Sequence, residues 1–240
     1  MPSQIEKLEA HASHLLDVFI GLRERYAMLE PMLFHVDVPK LRGSGQQTRG
    51  FQILRHSLFL SCAQDIAKLS LDADKRTPSL RNLIDALTDA DIRTKLRKRF
   101  SVWHIPSVEQ ETDLEIVAVL KRIEMREEAE RRTQFDELYC QATEAWSALS
   151  TSPVLKAFLT IRDKLSAHTE VQYIVDKNQF VDIGTLGMKW GDMRETVELM
   201  QKLVELLGLL IRNADFAWDM LDEQLSRAAS AFWLSADAAR

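Results

Sequence analysis

The chain has 240 residues, 46% of them hydrophobic and 28% charged, with a net charge of −5 at pH 7. That length allows one large domain or two small ones, and the acidic balance argues against broad nonspecific binding to nucleic acid, leaving room for a local basic groove. With 8 Gly, 6 Pro and long stretches of Leu, Ala, Glu, Lys and Arg, and no competing run of alternating β-branched residues, the composition points to an all-α protein of one domain spanning 1–240.

The N-terminus, MPSQIEKLEAH, carries charges where a signal peptide needs an apolar stretch. A helix is predicted over 4–30. Ile5, Leu8, Ala12, Leu15, Phe19, Leu22, Tyr26 and Leu29 step by three and four and make a straight seam for packing along another long helix. Pro31 is expected to end it. His11 and His14 lie three apart on this helix, but no third ligand accompanies them, so a metal site is not expected. Residues 31–48 contain Pro39, Gly43, Ser44 and Gly45 and read as a loop.

A second helix covers about 49–71, with Phe51, Leu54, Leu58, Cys62, Ile66 and Leu69 as its buried face. Cys62 and Cys140 show no CxxC or Cys/His ligand spacing, which argues against a disulfide framework or structural zinc and fits a reducing, cytoplasmic setting. After a turn at 75–78, Ser79 caps a short helix, SLRNLIDAL. Residues 90–100 form another, carrying Arg93, Lys95, Arg97, Lys98 and Arg99, the most basic patch in the chain. It reads either as a solvated face or as a surface that tracks phosphates.

Residues 103–111 are a loop around Pro106, and 113–150 the longest charged helix. Glu127 with Arg131, and Glu128 with Arg132, have the acid-first i,i+4 spacing that supports an exposed helix. Its flanks, 114–123 and 135–149, are apolar enough to pack. Ser152 and Pro153 are suited to the N-cap and first position of a helix over 152–169. Val154, Phe158, Ile161 and Leu165 lay its apolar stripe.

Residues 171–190 read as a long excursion with the makings of a small hairpin. The last helix is predicted over 192–226, opened by Asp192 and Glu195 as a capping box. Within it, 203–211 is the most apolar run, far too short to span a bilayer and interrupted by Glu205. Residues 228–240 are expected to be frayed or weakly docked, though Phe232 and Trp233 imply some contact.

Four standard chemistries have no motif here: GxxxxGK[ST], GxGxxG after a strand, HExxH and GxSxG are all absent. What remains is an Arg/His pair at the end of the 152–169 helix. The spacing alone is weak, since Arg49 with His56, and Arg97 or Arg99 with His104, fit as well. Arg162 to His168 differs in context: an acidic residue follows the Arg, a small one precedes the His, and a well-capped amphipathic helix carries both. In an unbroken helix the two would point ~120° apart. They can share a site only if the helix ends or bends near Ala167, or if a second subunit lies across it, which makes a homodimer worth expecting.

The segment IRDKLSAHT resembles the Arg-polar-Lys-x-x-Ala-His signature of the HEPN superfamily, in particular its abortive-infection, U-type Abi branch. FQILRHSLFLSCAQDIAKLSLDADKRTPSLRNLIDAL is similar to that family's second helix and the cap that follows, which puts Lys68, Leu69, Asp72, Ser79 and Leu80 at structural positions. Asp163 stands where Asn or His is frequent in related proteins. No Tyr lies two residues after His168, so the adenylylated Arg-His-Tyr variant is not supported.

The resemblance implies an elongated all-α HEPN-like bundle with long terminal helices and a short motif-bearing helix. It also implies a metal-independent endoribonuclease of phage defence or a toxin–antitoxin pair. His168 would move protons and Arg162 would stabilise phosphoryl charge, with Asp163 either orienting His168 of one subunit or the other or neutralising Arg162. Lys164, Arg93, Lys95 and Lys98 are the candidate RNA-binding residues. No cofactor is expected; the partners are RNA, a second copy, and a cognate antitoxin or nucleotidyltransferase. The rival reading is a non-catalytic helical module that binds a nucleotide or a protein through the same groove.

Overall fold

The computed structural model describes residues 3–41, 45–106, 111–166, 171–174, 177–180 and 186–234. The seam read from the first helix builds the centre of the fold. α1, Gln4–Phe34, buries Leu8, Ala12, Leu15, Phe19, Leu22, Tyr26 and Leu29, and adds Met32 one turn further on. Ser3 caps it through a reciprocal box: its hydroxyl accepts from the Glu6 N–H, and Glu6 accepts from the Ser3 N–H. Pro31 does not end the helix as expected. It removes one N–H from the ladder within the last turn, and its carbonyl still accepts from the His35 N–H at 3.1 Å.

α2, Asp37–Leu41, is a single turn inside the stretch read as a loop. α3, Gln46–Leu71, starts three residues earlier than expected and buries Phe51, Phe59, Cys62, Ala63, Ile66 and Leu69. Leu54, expected on that face, is exposed. Burial pushes the Cys62 thiol up to about 12, so it is a core side chain and no nucleophile.

The turn into α4, Leu80–Thr88, is held by Ser79. Its hydroxyl donates to the Asp72 carbonyl at 2.7 Å and accepts from the Asn82 N–H at 3.2 Å, while the Asn82 amide reaches the carbonyls of Asp74 and Thr77. Leu69 and Leu80 are buried on either side. Asp72 and Ser79, two of the positions that the family resemblance marks as structural, therefore meet at this turn.

α5, Ala90–Ser101, is capped by Asp89 and packs on α6, Leu114–Thr151. Phe100 and Phe135 meet edge to face across this pair. The C-terminal half of α6 buries Phe135, Ala142, Ala145 and Leu149, but 114–123, expected to pack, does not: Leu114 is 83% exposed and Val119 50%. Of the two expected i,i+4 pairs, Arg132 reaches Glu128 at 2.9 Å. Arg131 instead donates to the Val102 carbonyl and lies over the Phe100 ring, anchoring the preceding segment.

α7, Pro153–Thr160, continues without interruption into a π-helical turn, Ile161–Ser166, and both pack on α3. A two-stranded antiparallel hairpin follows: β1, Val171–Ile174, pairs with β2, Lys177–Phe180, in the register Val171 to Phe180 and Ile174 to Lys177. The excursion over 171–190 thus contains the small hairpin, on an otherwise helical bundle.

The C-terminal helix expected as one piece is two. α8, Trp190–Arg212, ends at Asn213, whose left-handed backbone (φ 50°, ψ 41°) turns the chain out of the helix. A Cβ at Gly208 would lie 3.1 Å from the Ala214 carbonyl oxygen, so the lack of one lets the turn fold back closely. α9, Trp218–Leu234, then packs on α1, with Trp218 edge-on to Phe19 at 5.8 Å. The start of α8 also differs: Asp192 accepts from the Lys189 N–H at 2.7 Å, so the cap is Lys189 with Asp192 at its third position. Residues 228–234 are docked rather than frayed. Trp233 is buried against Phe51 and donates its indole N–H to the Met28 carbonyl at 2.9 Å. Residues 235–240 lie outside the described residues.

Candidate functional site

Ser152 places the motif. Its N–H donates to the Leu149 carbonyl at the end of α6, its hydroxyl accepts from the Val154 N–H at 3.2 Å, and Pro153 opens α7 without losing a bond. Leu155, Phe158 and Ile161 are fully buried and pin the helix to the core. The Thr160 hydroxyl donates to the Lys156 carbonyl at 3.0 Å, a side-chain bond that competes with the helical ladder where it widens. From Ile161 the turn is π-helical, a local form frequent at functional sites.

This turn carries Arg162, Asp163 and Lys164. Arg162 is half-buried, with its side chain 35% exposed, and its Nε donates to Asp163 Oδ1 at 2.7 Å; Asp163 is more open. Arg162 makes no other hydrogen bond to a described residue. The carboxylate thus holds one edge of the guanidinium and leaves the terminal nitrogens available for an anion. Lys164 is half-buried on the same turn. The constant step that set Arg162 and His168 ~120° apart applies to an α-helix and does not hold across this turn. His168 itself lies outside the described residues.

The competing spacings that end at His104 are taken up by other contacts. Arg97 is bidentate to Asp136, Arg99 pairs with Glu9, and His104 reaches Glu124 through Nδ1 at 3.2 Å. These pairs fasten α5 to α6, α5 to α1, and the chain after α5 to α6.

The basic patch of α5 is smaller than its sequence suggests. Arg93 is half-buried, donates to the carbonyls of Leu87 and Thr88, and stacks 4.9 Å above the Tyr139 ring. Arg97 and Arg99 are paired as above. Lys95 and Lys98 are exposed and form no ion pair with a described residue. α5 packs on α4, α6 and α8, whereas the motif turn packs on α3 and α7.

Two clefts were not foreseen. One, of about 830 Å³, runs between the start of α1, the α3–α4 turn and α4, with Lys7, His11, Lys75 and Arg81 on its walls. The other, of about 310 Å³, lies between α1, α8 and α9, where Arg194 pairs with Glu30 at 2.9 Å and Arg23 with Asp222. Burial, then the nearby Glu30 carboxylate, raise the Tyr26 phenol at its edge and keep it protonated. Neither cleft contains a residue of the motif turn. Their residues come from segments far apart in sequence, so no local motif could have marked them.

Among the described residues, no group of three His, Cys, Asp or Glu side chains is placed to hold a metal, and no helix is long and apolar enough to cross a membrane.

Comparison with curated proteins and with solved structures finds no match. A family does match: HEPN_AbiU2, described as AbiU2, over residues 5–232. The match takes in the Ser79 corner, the Arg162 turn and both C-terminal helices, and it agrees with the all-α bundle they build. The chain belongs to the AbiU2 family of the HEPN superfamily.

Proposed function

We infer that the protein is a metal-independent endoribonuclease of the abortive-infection type, working in the cytoplasm through Arg162 and His168. The observation that carries this reading is the Arg162–Asp163 pair on a π-helical turn at the end of a tightly anchored helix. In-line cleavage of RNA requires a proton taken from the 2′-hydroxyl, a proton given to the leaving 5′-oxygen, and relief of the charge on the phosphoryl oxygens. The imidazole of His168 suits the proton transfers, because such a side chain can both take and give a proton. The Nη atoms of Arg162, left open by the bond to Asp163, suit the phosphoryl oxygens. Asp163 is then a positioning residue that fixes the plane of the guanidinium.

A homodimer is part of this reading, with the segments that begin at Ser152 close to the two-fold axis, so that the Arg of one chain works beside the His of either. A cognate antitoxin or nucleotidyltransferase is the partner expected to restrain it. Purified protein should cleave single-stranded RNA in the presence of EDTA; cleavage that EDTA stops, or none at any concentration, contradicts the reading.

RNA beyond the cleaved bond is expected to reach Lys164 and the exposed cations of α5, Lys95 and Lys98, with Arg93 behind them. Reversing Lys95 and Lys98 to Glu should weaken RNA binding about tenfold or more at low salt and flatten the dependence of binding on salt, because phosphate contacts release counterions. Filter binding at several salt concentrations reads this directly. An unchanged slope returns the two lysines to solvent.

A further inference from the structure

From Leu114 to Gln134 no residue of α6 is buried, although the segment begins with the apolar run LEIVAVL. Leu114 is 83% exposed, Met125 72%, Val119 50% and Ile116 45%. A helix apolar on nearly all sides is normally covered. One side of this one is: the Glu124 carboxylate accepts from the Ile105 N–H at 2.8 Å, and Arg131 donates to the Val102 carbonyl, so the chain following α5 lies there. At ~100° per residue, Leu114, Glu115, Ala118, Val119, Arg122 and Met125 fall on the opposite side, within a sector of roughly 140°.

That face is self-complementary. Glu115 forms no ion pair with any described residue, and Arg122 only donates from Nε to the Ala118 carbonyl one turn back, at 3.3 Å. Of the neighbouring charges, Arg126 pairs with Glu127 and Glu130, and Arg132 with Glu128, whereas Lys121 at the edge of the face forms no ion pair with a described residue. A two-fold axis passing between Ala118 and Val119 sets two such helices antiparallel. It sets Glu115 of each copy level with Arg122 of the other. The small side chain of Ala118 at the crossing allows close approach.

The geometry points to this face of α6 as a docking surface for a second copy of the same chain, through an isologous antiparallel helix pair with two Glu115–Arg122 ion pairs. The surface is separate from the motif helix and does not depend on the nuclease reading. Two or three turns of helix bury less than the ~1,200–2,000 Å² of a stable complex, so the association depends on concentration.

Sedimentation of the full chain across a range of concentrations tests this. Val119→Glu, and Glu115→Arg or Arg122→Glu alone, should each raise the dissociation constant of one association step about tenfold or more. Glu115→Arg combined with Arg122→Glu should restore it. Val119 is half exposed and outside the core, so the melting temperature should not move. In a Cys140→Ser background, Ala118→Cys should form an intermolecular disulfide on mild oxidation. Any association through the Ser152 segments survives in Val119→Glu, so the two contacts are read apart. A wild-type chain that never self-associates, single reversals without effect, a double reversal that fails to restore association, or an Ala118→Cys chain that does not cross-link would each overturn the proposal.

Discussion

Arg162→Ala and His168→Ala should each lower RNA cleavage by ~10²–10⁴-fold, the usual cost of losing a positioned acid–base or charge-stabilising group, while leaving the melting temperature nearly unchanged. For Arg162 the structure gives the reason that stability should be spared. Its guanidinium is partly open to solvent and, among the described residues, is tied to the neighbouring Asp163, so its removal strands no buried charge in the core. Asp163→Asn should fall between wild type and Arg162→Ala, because the amide oxygen can still accept from Nε but holds the cation less firmly. Single-turnover cleavage of a labelled RNA checks the series. Equal activity in all three variants would remove Arg162 from the chemistry, and loss of activity only together with a large loss of stability would make the motif structural.

Phe158→Ala should have the opposite signature. The ring is fully buried one turn before Arg162, on the face that α7 sets against α3. Its truncation should cost about 3–5 kcal/mol, the range for large aromatic-to-alanine changes in a packed interior. Against a typical total of ~5–15 kcal/mol this is a large fraction of the fold's stability. Urea denaturation of the variant against wild type measures it, and a loss under about 1 kcal/mol would mean that the helix is not anchored as described. Activity should fall with stability here, since the turn that bears Arg162 depends on this anchor.

These two residues also show what could be read from the chain before its structure. Phe158 and Ile161 lie on an apolar stripe of helical period and are buried as that period requires, as is nearly every seam position of α1. Ser79 was legible as a cap, since only a small hydroxyl both accepts from the Asn82 N–H and donates to the Asp72 carbonyl.

What escaped the reading was decided by geometry that periodicity does not carry. The apolar steps of the C-terminal segment run on through Ala214 and Ala217, but the chain turns at Asn213, Ala217 is exposed, and α9 begins anew at Trp218 and packs on α1. Asn213 after Arg212 was the available stop signal. Pro31 marks the end of a helix in most sequences, but here the helix has three residues beyond it before His35. The π turn has no sequence signature beyond Thr160 and its bond to the Lys156 carbonyl. Basic residues were overcounted because a cation's partner lies elsewhere in the chain: Arg97 finds Asp136 and Arg99 finds Glu9 only once α5 has docked. The apolar run at the start of α6 has the composition of a buried segment, yet Leu114, Ile116 and Val119 lie on the surface.

The central claim is that Arg162 and His168 cleave RNA by attack of the 2′-hydroxyl on the adjacent phosphate. The most direct test is the chemistry of the ends left by purified wild-type protein acting on a defined RNA in EDTA. The expected ends are a 2′,3′-cyclic phosphate on the upstream fragment and a 5′-hydroxyl on the downstream one, with neither formed by the His168→Ala protein. Fragments ending in a 3′-hydroxyl and a 5′-phosphate, or cyclic ends still produced by the His168→Ala protein, would contradict the claim.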